Sequence, residues 1–297
     1  MSSHTATGRV RKANRRATLK VIPERREDSV LAHKGPSLKD RLRSMAEEKK
    51  LFPASTTWHI DETSLFEALY LRQYRPLVPA SWDTQLRGVP IPEFCFCRNL
   101  TDQGQFGAPP IYSTQNTEYR ASKAFIEIID LTTNVRALRH LDRHAAIPSY
   151  LKDELEKYLM WAAQDGEYHK SRAVPNIFCE IVDTSLSVEG IASHITSKML
   201  QVAKQHRRFW RKHSYKDSNG NTVAVDCPVV YGLFVLNHTV LVLTVDPNRS
   251  SHTPVSYQIE IDFSQRSQGI WNALTLGITS CMARDGMVAR EEFFSRK

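Results

Sequence analysis

The chain has 297 residues, 41% of them hydrophobic and 24% charged, a composition that supports a full core in one large or two small domains. No apolar run approaches the roughly 20 residues of a membrane span, and none follows the basic N-terminus as a secretory signal requires, so no membrane partner is expected. The net charge of +8 is concentrated in residues 1–50, which hold 14 Lys/Arg and 6 Asp/Glu, while the other 247 residues hold 26 of each.

Residues 1–43 carry Arg9, Arg11, Lys12, Arg15, Arg16 and Lys20 among small and polar residues, and no acid precedes Glu24. So little apolar surface cannot offset chain entropy, which predicts a disordered basic tail. Arg11, Lys12, Arg15 and Arg16 read as a nuclear import signal or a phosphate-binding arm, against the plainer reading of a solvated tail. Nuclear or cytoplasmic residence is expected. A mitochondrial presequence is a third reading, although its periodic Leu/Phe face is missing.

A short charged helix is expected from Ser37 to Lys49, leading into a body that starts near Leu51. Thr63 or Ser64 is the expected cap of a helix carrying Leu65, Phe66, Leu69 and Tyr70. Six prolines between Pro76 and Pro110 exclude long helices there and predict ordered loop, packed by Trp82, Ile91, Phe94, Phe96 and Ile111. Residues 44–120 thus read as a helix plus a Pro-rich packing segment, and 121–297 as an α+β core domain, the two forming separate units or one. Residues 121–139 have a helical period through Phe125, Ile128, Ile129, Val135 and Leu138. A second helix starts at Pro148 and ends at Gly166.

Asn176–Asp183 contains a short apolar strand, and Ser187–Lys212 a long helix with Ile191, Ile195, Met199, Val202 and Phe209 inward. Residues 214–226 read as a polar loop. Two apolar strands, 228–236 and 239–246, flank a two-residue turn at Asn237-His238. Residues 255–263 alternate, predicting Val255, Tyr257, Ile259, Ile261 and Phe263 on the buried face. Ile270, Leu274, Ile278 and Met282 mark a closing helix. The expected fold class is α+β, a central mixed sheet of β-α-β-β-β-α order flanked by helices.

Phosphate-loop, Rossmann, serine-hydrolase and zincin motifs are missing, which removes the usual signals of those chemistries. Cys95 and Cys97 lack the second pair that structural zinc requires. With Cys179, Cys227 and Cys281 they read as buried, inert thiols of a reducing compartment. His140 and His144 have helical i,i+4 spacing but no third ligand, and the histidines in general read as surface residues. No metal site and no cofactor are expected, except Mg²⁺ if Glu180 is catalytic. Glu180 and Asp183, on and just past a buried strand, are the candidate catalytic acids, because phosphodiester hydrolysis needs acidic Mg²⁺ ligands at a sheet end. The plainer reading pairs Glu180 within the fold. Lys204, Arg207, Arg208, Trp210, Arg211 and Lys212 form the candidate nucleic-acid-binding set, since cations beside aromatic rings suit phosphate contact and base stacking. Cations offsetting a helix C-terminus, with Trp210 in the core, are the alternative.

The strand Ile177-Phe178-Cys179-Glu180-Ile181-Val182, the helix through Gln201-Val202-Ala203-Lys204-Gln205, the hairpin from Pro228 to Asp246 and the helix around Ile270-Trp271-Asn272-Ala273 resemble, in order and texture, the C-terminal part of the fungal PD-(D/E)XK nuclease-like domain family. The resemblance spans a little over a third of the chain and implies an E-x-K strand at Glu180. The lysine of that motif is Val182 here, and the only upstream acid of similar flavour is Asp130, on a predicted helix. Lys198 or Lys204 could supply the missing cation from the following helix. A βαβββα interaction fold of the roadblock or profilin type has a similar element order. The expected function is a non-catalytic nucleic-acid-associated protein binding DNA or RNA, with a protein-interaction scaffold or a metal-dependent nuclease centred on Glu180 as alternatives.

Overall fold

The computed structural model describes residues 37–52, 55–98, 107–115, 117–216, 222–249 and 254–294. The expected disordered tail of residues 1–43 lies outside them up to residue 36, and Arg11, Lys12, Arg15 and Arg16 with it; its last residues, 38–43, are instead helical, capped by Ser37. The elements are, in chain order, α1 (Leu38–Lys49), α2 (Ile60–Tyr70), β1 (Val78–Pro79), β2 (Phe96–Cys97), α3 (Glu118–Ile129), α4 (Leu131–His140), α5 (Ile147–Asp165), β3 (Ile177–Ile181), α6 (Val188–Trp210), β4 (Ser214–Lys216), β5 (Thr222–Ala224), β6 (Val230–Leu236), β7 (Thr239–Val245), β8 (Ser256–Asp262), α7 (Gly269–Val288) and α8 (Glu291–Phe294). This is the α+β class expected. Among the described residues no helix is long and apolar enough to cross a membrane.

The main sheet has the order β3-β6-β7-β8, with β3 parallel to β6 and the other pairs antiparallel. Alternate side chains of its strands serve two cores. Ile177, Cys179, Tyr231, Leu233, Val240, Val242 and Ile261 join α3, α4, α5 and α7 on one face. Val182, Val230, Phe234, Leu243 and Val245 pack with Ile195, Met199 and Val202 of α6 on the other. Gly232 lets α6 come close: a Cβ there would lie 2.5 Å from Met199 Sδ and 2.6 Å from Phe234 Cε2. The β6–β7 turn is the two-residue Asn237-His238 expected, with Asn237 at φ 54°. Helix α7 is buried almost all round. Thr275 and Thr279 satisfy their hydroxyls by donating to the Trp271 and Thr275 carbonyls, at 2.7 and 2.8 Å.

The Pro-rich segment packs as ordered loop. Leu77 N donates to Cys95 O and Ile111 N to Leu77 O, and Trp82 lies buried against Phe125. All five cysteines are buried and free. Burial pushes the Cys95 thiol up to about 12.

Four local expectations are corrected. Helix α2 is capped not by Thr63 or Ser64 but by His59, whose Nδ1 accepts from Asp61 N while Glu62 accepts from His59 N. This is a capping box with an imidazole in the usual hydroxyl position. The periodic stretch 121–139 is two helices meeting at Asp130. Residues 214–226 are not all loop: Ser214–Lys216 pairs antiparallel with Thr222–Ala224. In the β7–β8 pairing the register slips between Val242 and Leu243, so Val242 faces Ile259 but Leu243 faces Tyr257, leaving Gln258 of β8 as the extra residue. The extra residue flips the faces. Tyr257 becomes 42% exposed, and Ser256 and Gln258 turn inward. Gln258 then donates to Thr244 Oγ1, which donates to the buried Glu62 of α2.

One buried ion pair ties three distant segments together. Arg284 of α7 and Asp165 at the end of α5 are 2.8 Å apart with both side chains 0% exposed. Arg284 Nη1 also donates to Tyr112 O, and its Nε donates to Asp285. Asp165 accepts from Ser113 Oγ at 2.6 Å and Thr114 N at 2.9 Å. Removing one partner strands the other charge. We expect Asp165→Ala to cost about 3–5 kcal/mol in chemical denaturation, with residues 111–114 losing protection from hydrogen exchange first. A loss below about 1 kcal/mol, of the size of a surface ion pair, would show that the pair does not hold this junction.

Candidate nucleic-acid interface

Helix α6 starts at Ser187, whose hydroxyl accepts from Gly190 N, and its apolar stripe lies on the sheet. The opposite stripe carries Lys204 and Arg208. Arg211 is the C-cap and Lys212 follows. The spacing i, i+4, i+7, i+8 sets all four on one side. All four are exposed, and among the described residues none is in ion-pair contact with a carboxylate. The structure therefore brings together Lys204, Arg208, Arg211 and Lys212 as an outward cationic surface.

Two members of the predicted set behave differently. Arg207 is half-buried and donates to Pro247 O at 3.2 Å. Trp210 is not a stacking platform: it is 0% exposed, packed with Tyr168, Val225, Cys227 and Met287. Its position explains this, since residue 210 continues the inward row through Met199 and Ala203.

His206 corrects the expectation of surface histidines. It is 0% exposed. Its Nε2 donates to Pro175 O at 3.1 Å, and its Nδ1 accepts from Trp210 Nε1 at 3.3 Å. This pattern requires the neutral ring. A second proton would point at the indole N–H, and burial lowers the pKa to about 4. The pair fixes the last turn of α6, and so the placement of Arg208 and Arg211.

The two candidate catalytic acids are not brought together. Glu180 lies on the α6 face of β3, where Lys198 pairs with its Oε2 and His194 Nε2 stands 2.9 Å from its Oε1. Asp183 is exposed beyond the strand. It accepts from Ser185 N at 2.9 Å, and this hydrogen bonding holds its carboxyl below the usual range. Val182 is buried under α6. Asp130 is exposed at the α3–α4 junction, on the other side of the sheet. Lys198 is foreseeable from the sequence as a migrated cation. His194 is missed by sequence reasoning, though its i,i+4 relation to Lys198 signals a shared helix face. Among the described residues no three His, Cys, Asp or Glu side chains are grouped so as to hold a metal ion.

Comparison of the chain with protein-family models, with curated proteins and with solved structures gives no match.

The buried histidine sets a pH dependence. Its folded pKa of about 4 lies below the ordinary 6.5, so the unfolded chain takes up the proton first. Its contribution is therefore complete above about pH 7 and declines as pH falls from 6.5 towards 4. Between pH 7.5 and 5 we expect stability to fall by about 2 kcal/mol relative to His206→Gln, which has no proton to gain. Parallel denaturant melts of the two proteins check this, and parallel curves would overturn it.

Proposed function

We propose that this protein associates with nucleic acid without cleaving it, holding phosphates against the outer cationic side of the end of α6. The observation that supports this reading is the alignment of Lys204, Arg208, Arg211 and Lys212, exposed and without carboxylate partners among the described residues. Unpaired surface cations at this spacing suit a polyanion, whose bound counterions are released on contact. With Trp210 in the core, the contact is electrostatic rather than stacking, so it follows the backbone and reads little sequence. Arg11, Lys12, Arg15 and Arg16 supply a second group of cations on the same chain.

One observation favours a second reading, metal-dependent hydrolysis at Glu180. Lys198 provides an acid–lysine pair of the kind the PD-(D/E)XK resemblance implies, reached from the helix instead of the strand. Against it, hydrolysis of this type needs at least two converging carboxylates to draw Mg²⁺ from water, and Asp183 is engaged with its own loop.

The test is a salt titration of the full chain with DNA and RNA. Log affinity should fall linearly with log salt. Arg208→Glu/Arg211→Glu/Lys212→Glu should flatten the slope by about one for each phosphate that is no longer neutralised, and should weaken binding to all sequences alike. Undiminished binding in that variant, or no binding at low salt, would overturn the reading. Incubation with single- and double-stranded substrates in Mg²⁺ or Mn²⁺ should leave them intact. Cleavage abolished by Glu180→Gln in a folded protein would establish the second reading.

A further inference from the structure

We infer that the cavity between the end of α4 and the β8–α7 turn is a binding site for a phosphate dianion, free or as a small phosphomonoester. The cavity has a volume of about 330 Å³ and is lined by Arg136, Arg139, His140, His144 and Ser264. That is within the range of roughly 300–1,000 Å³ for small-ligand sites. No lining residue is acidic.

The residues come from three segments. Arg136 and Arg139 sit three apart on α4, so their side chains neighbour each other. The chain then turns at Asp142, at φ 54°, which carries His144 round to the cavity that His140 also lines. Ser264 arrives from the turn after β8. Its N donates to Asp262 Oδ1 at 2.7 Å, and its hydroxyl is hydrogen-bonded to the same carboxylate, so Ser264 shapes the wall while the arginines and histidines supply the donors. Both arginines are half-buried, and among the described residues neither is in ion-pair contact with a carboxylate. A partly desolvated guanidinium without a counter-ion is costly, and a bound anion offsets that cost while using its forked donors. Cations in a last helical turn also suit the macrodipole. That accounts for Arg139 and His140, but not for a cavity walled by Arg136, His144 and Ser264.

The carboxylates nearby are otherwise engaged. Asp262 accepts from Ser264 N and Gln265 and stands 3.7 Å from His238. Asp142 is 3.8 Å from His144 and almost fully exposed. The site is separate from the α6 surface. It lies where β8 ends, on the α7 side of the sheet, whereas α6 crosses back to the end where β3 begins, on the other side.

Inorganic phosphate is the probe, titrated into the full chain at constant ionic strength with chloride as the counterpart. We expect phosphate to raise the melting temperature saturably, as a ligand of the native state does. Arg136→Gln/Arg139→Gln should weaken the apparent affinity by about tenfold or more. Arg208→Glu/Arg211→Glu/Lys212→Glu should leave it unchanged. An oligonucleotide with hydroxyl ends should not compete, because a phosphodiester offers one charge where the cavity faces two arginines. Arg136→Gln alone, at a half-buried helix position, gives a second reading of the site if the double variant folds poorly, with an expected loss of several-fold. Absence of a phosphate-dependent shift beyond that of chloride, or equal responses in wild type and the two Arg136 variants, would overturn the proposal. So would competition by the hydroxyl-ended oligonucleotide, which would assign the cavity to nucleic-acid backbone.

Discussion

A guanidinium placed in a dry interior must be neutralised from several directions at once, and the Arg284 position imposes that constraint on this fold. Its charge is met by Asp165 at the end of α5, by the neighbouring Asp285 and by the carbonyl of Tyr112, whose ring centroid lies 4.4 Å from the guanidinium carbon. Asp165 in turn takes donors from Ser113 and Thr114. Replacing such a pair by apolar residues is often neutral, so its contribution here is geometric as much as energetic. It brings a loop, a helix end and a helix interior to one point. The Pro-rich segment, which has little regular structure of its own, is thereby held against the core that carries the sheet.

That sheet then separates two chemistries. Its α7 face is covered by several helices and closes a large apolar core. Among the described residues its other face is covered by α6 alone. A single long helix has one side on the sheet and one in water, so α6 can be apolar below and cationic above. Gly232 brings it close to the strands, and the His206–Trp210 pair fixes its end. Glu180 pairs with Lys198 at the margin between the two sides, where an isolated carboxylate beneath a covering helix would be poorly solvated. The plain structural role suggested for Glu180 by its sequence setting is thus compatible with the geometry, although a paired acid is not by that fact inert.

The sequence by itself determined the elements whose signals are local. Asn237-His238 makes its hairpin because two apolar runs flank a two-residue turn. Ser37 and Ser187 cap helices because a hydroxyl before an amphipathic run can accept from the first-turn N–H groups. The exposed row Lys204, Arg208, Arg211 and Lys212 follows from helical period alone. Tertiary structure decided what depends on partners far along the chain. The bulge opposite Val242 and Leu243 reverses the faces of Tyr257 and Gln258, and no alternation pattern carries a register slip. Histidine and tryptophan look alike in sequence whether they face water or core. The burial of His206 and Trp210 came from Pro175, Tyr168 and Met287, none of them a neighbour in the chain. The same holds for Glu180 with Lys198 and for the two arginines that share a cavity with Ser264. Backbone periodicity is a property of consecutive residues, whereas burial and charge pairing are properties of surfaces that meet only when the chain has folded.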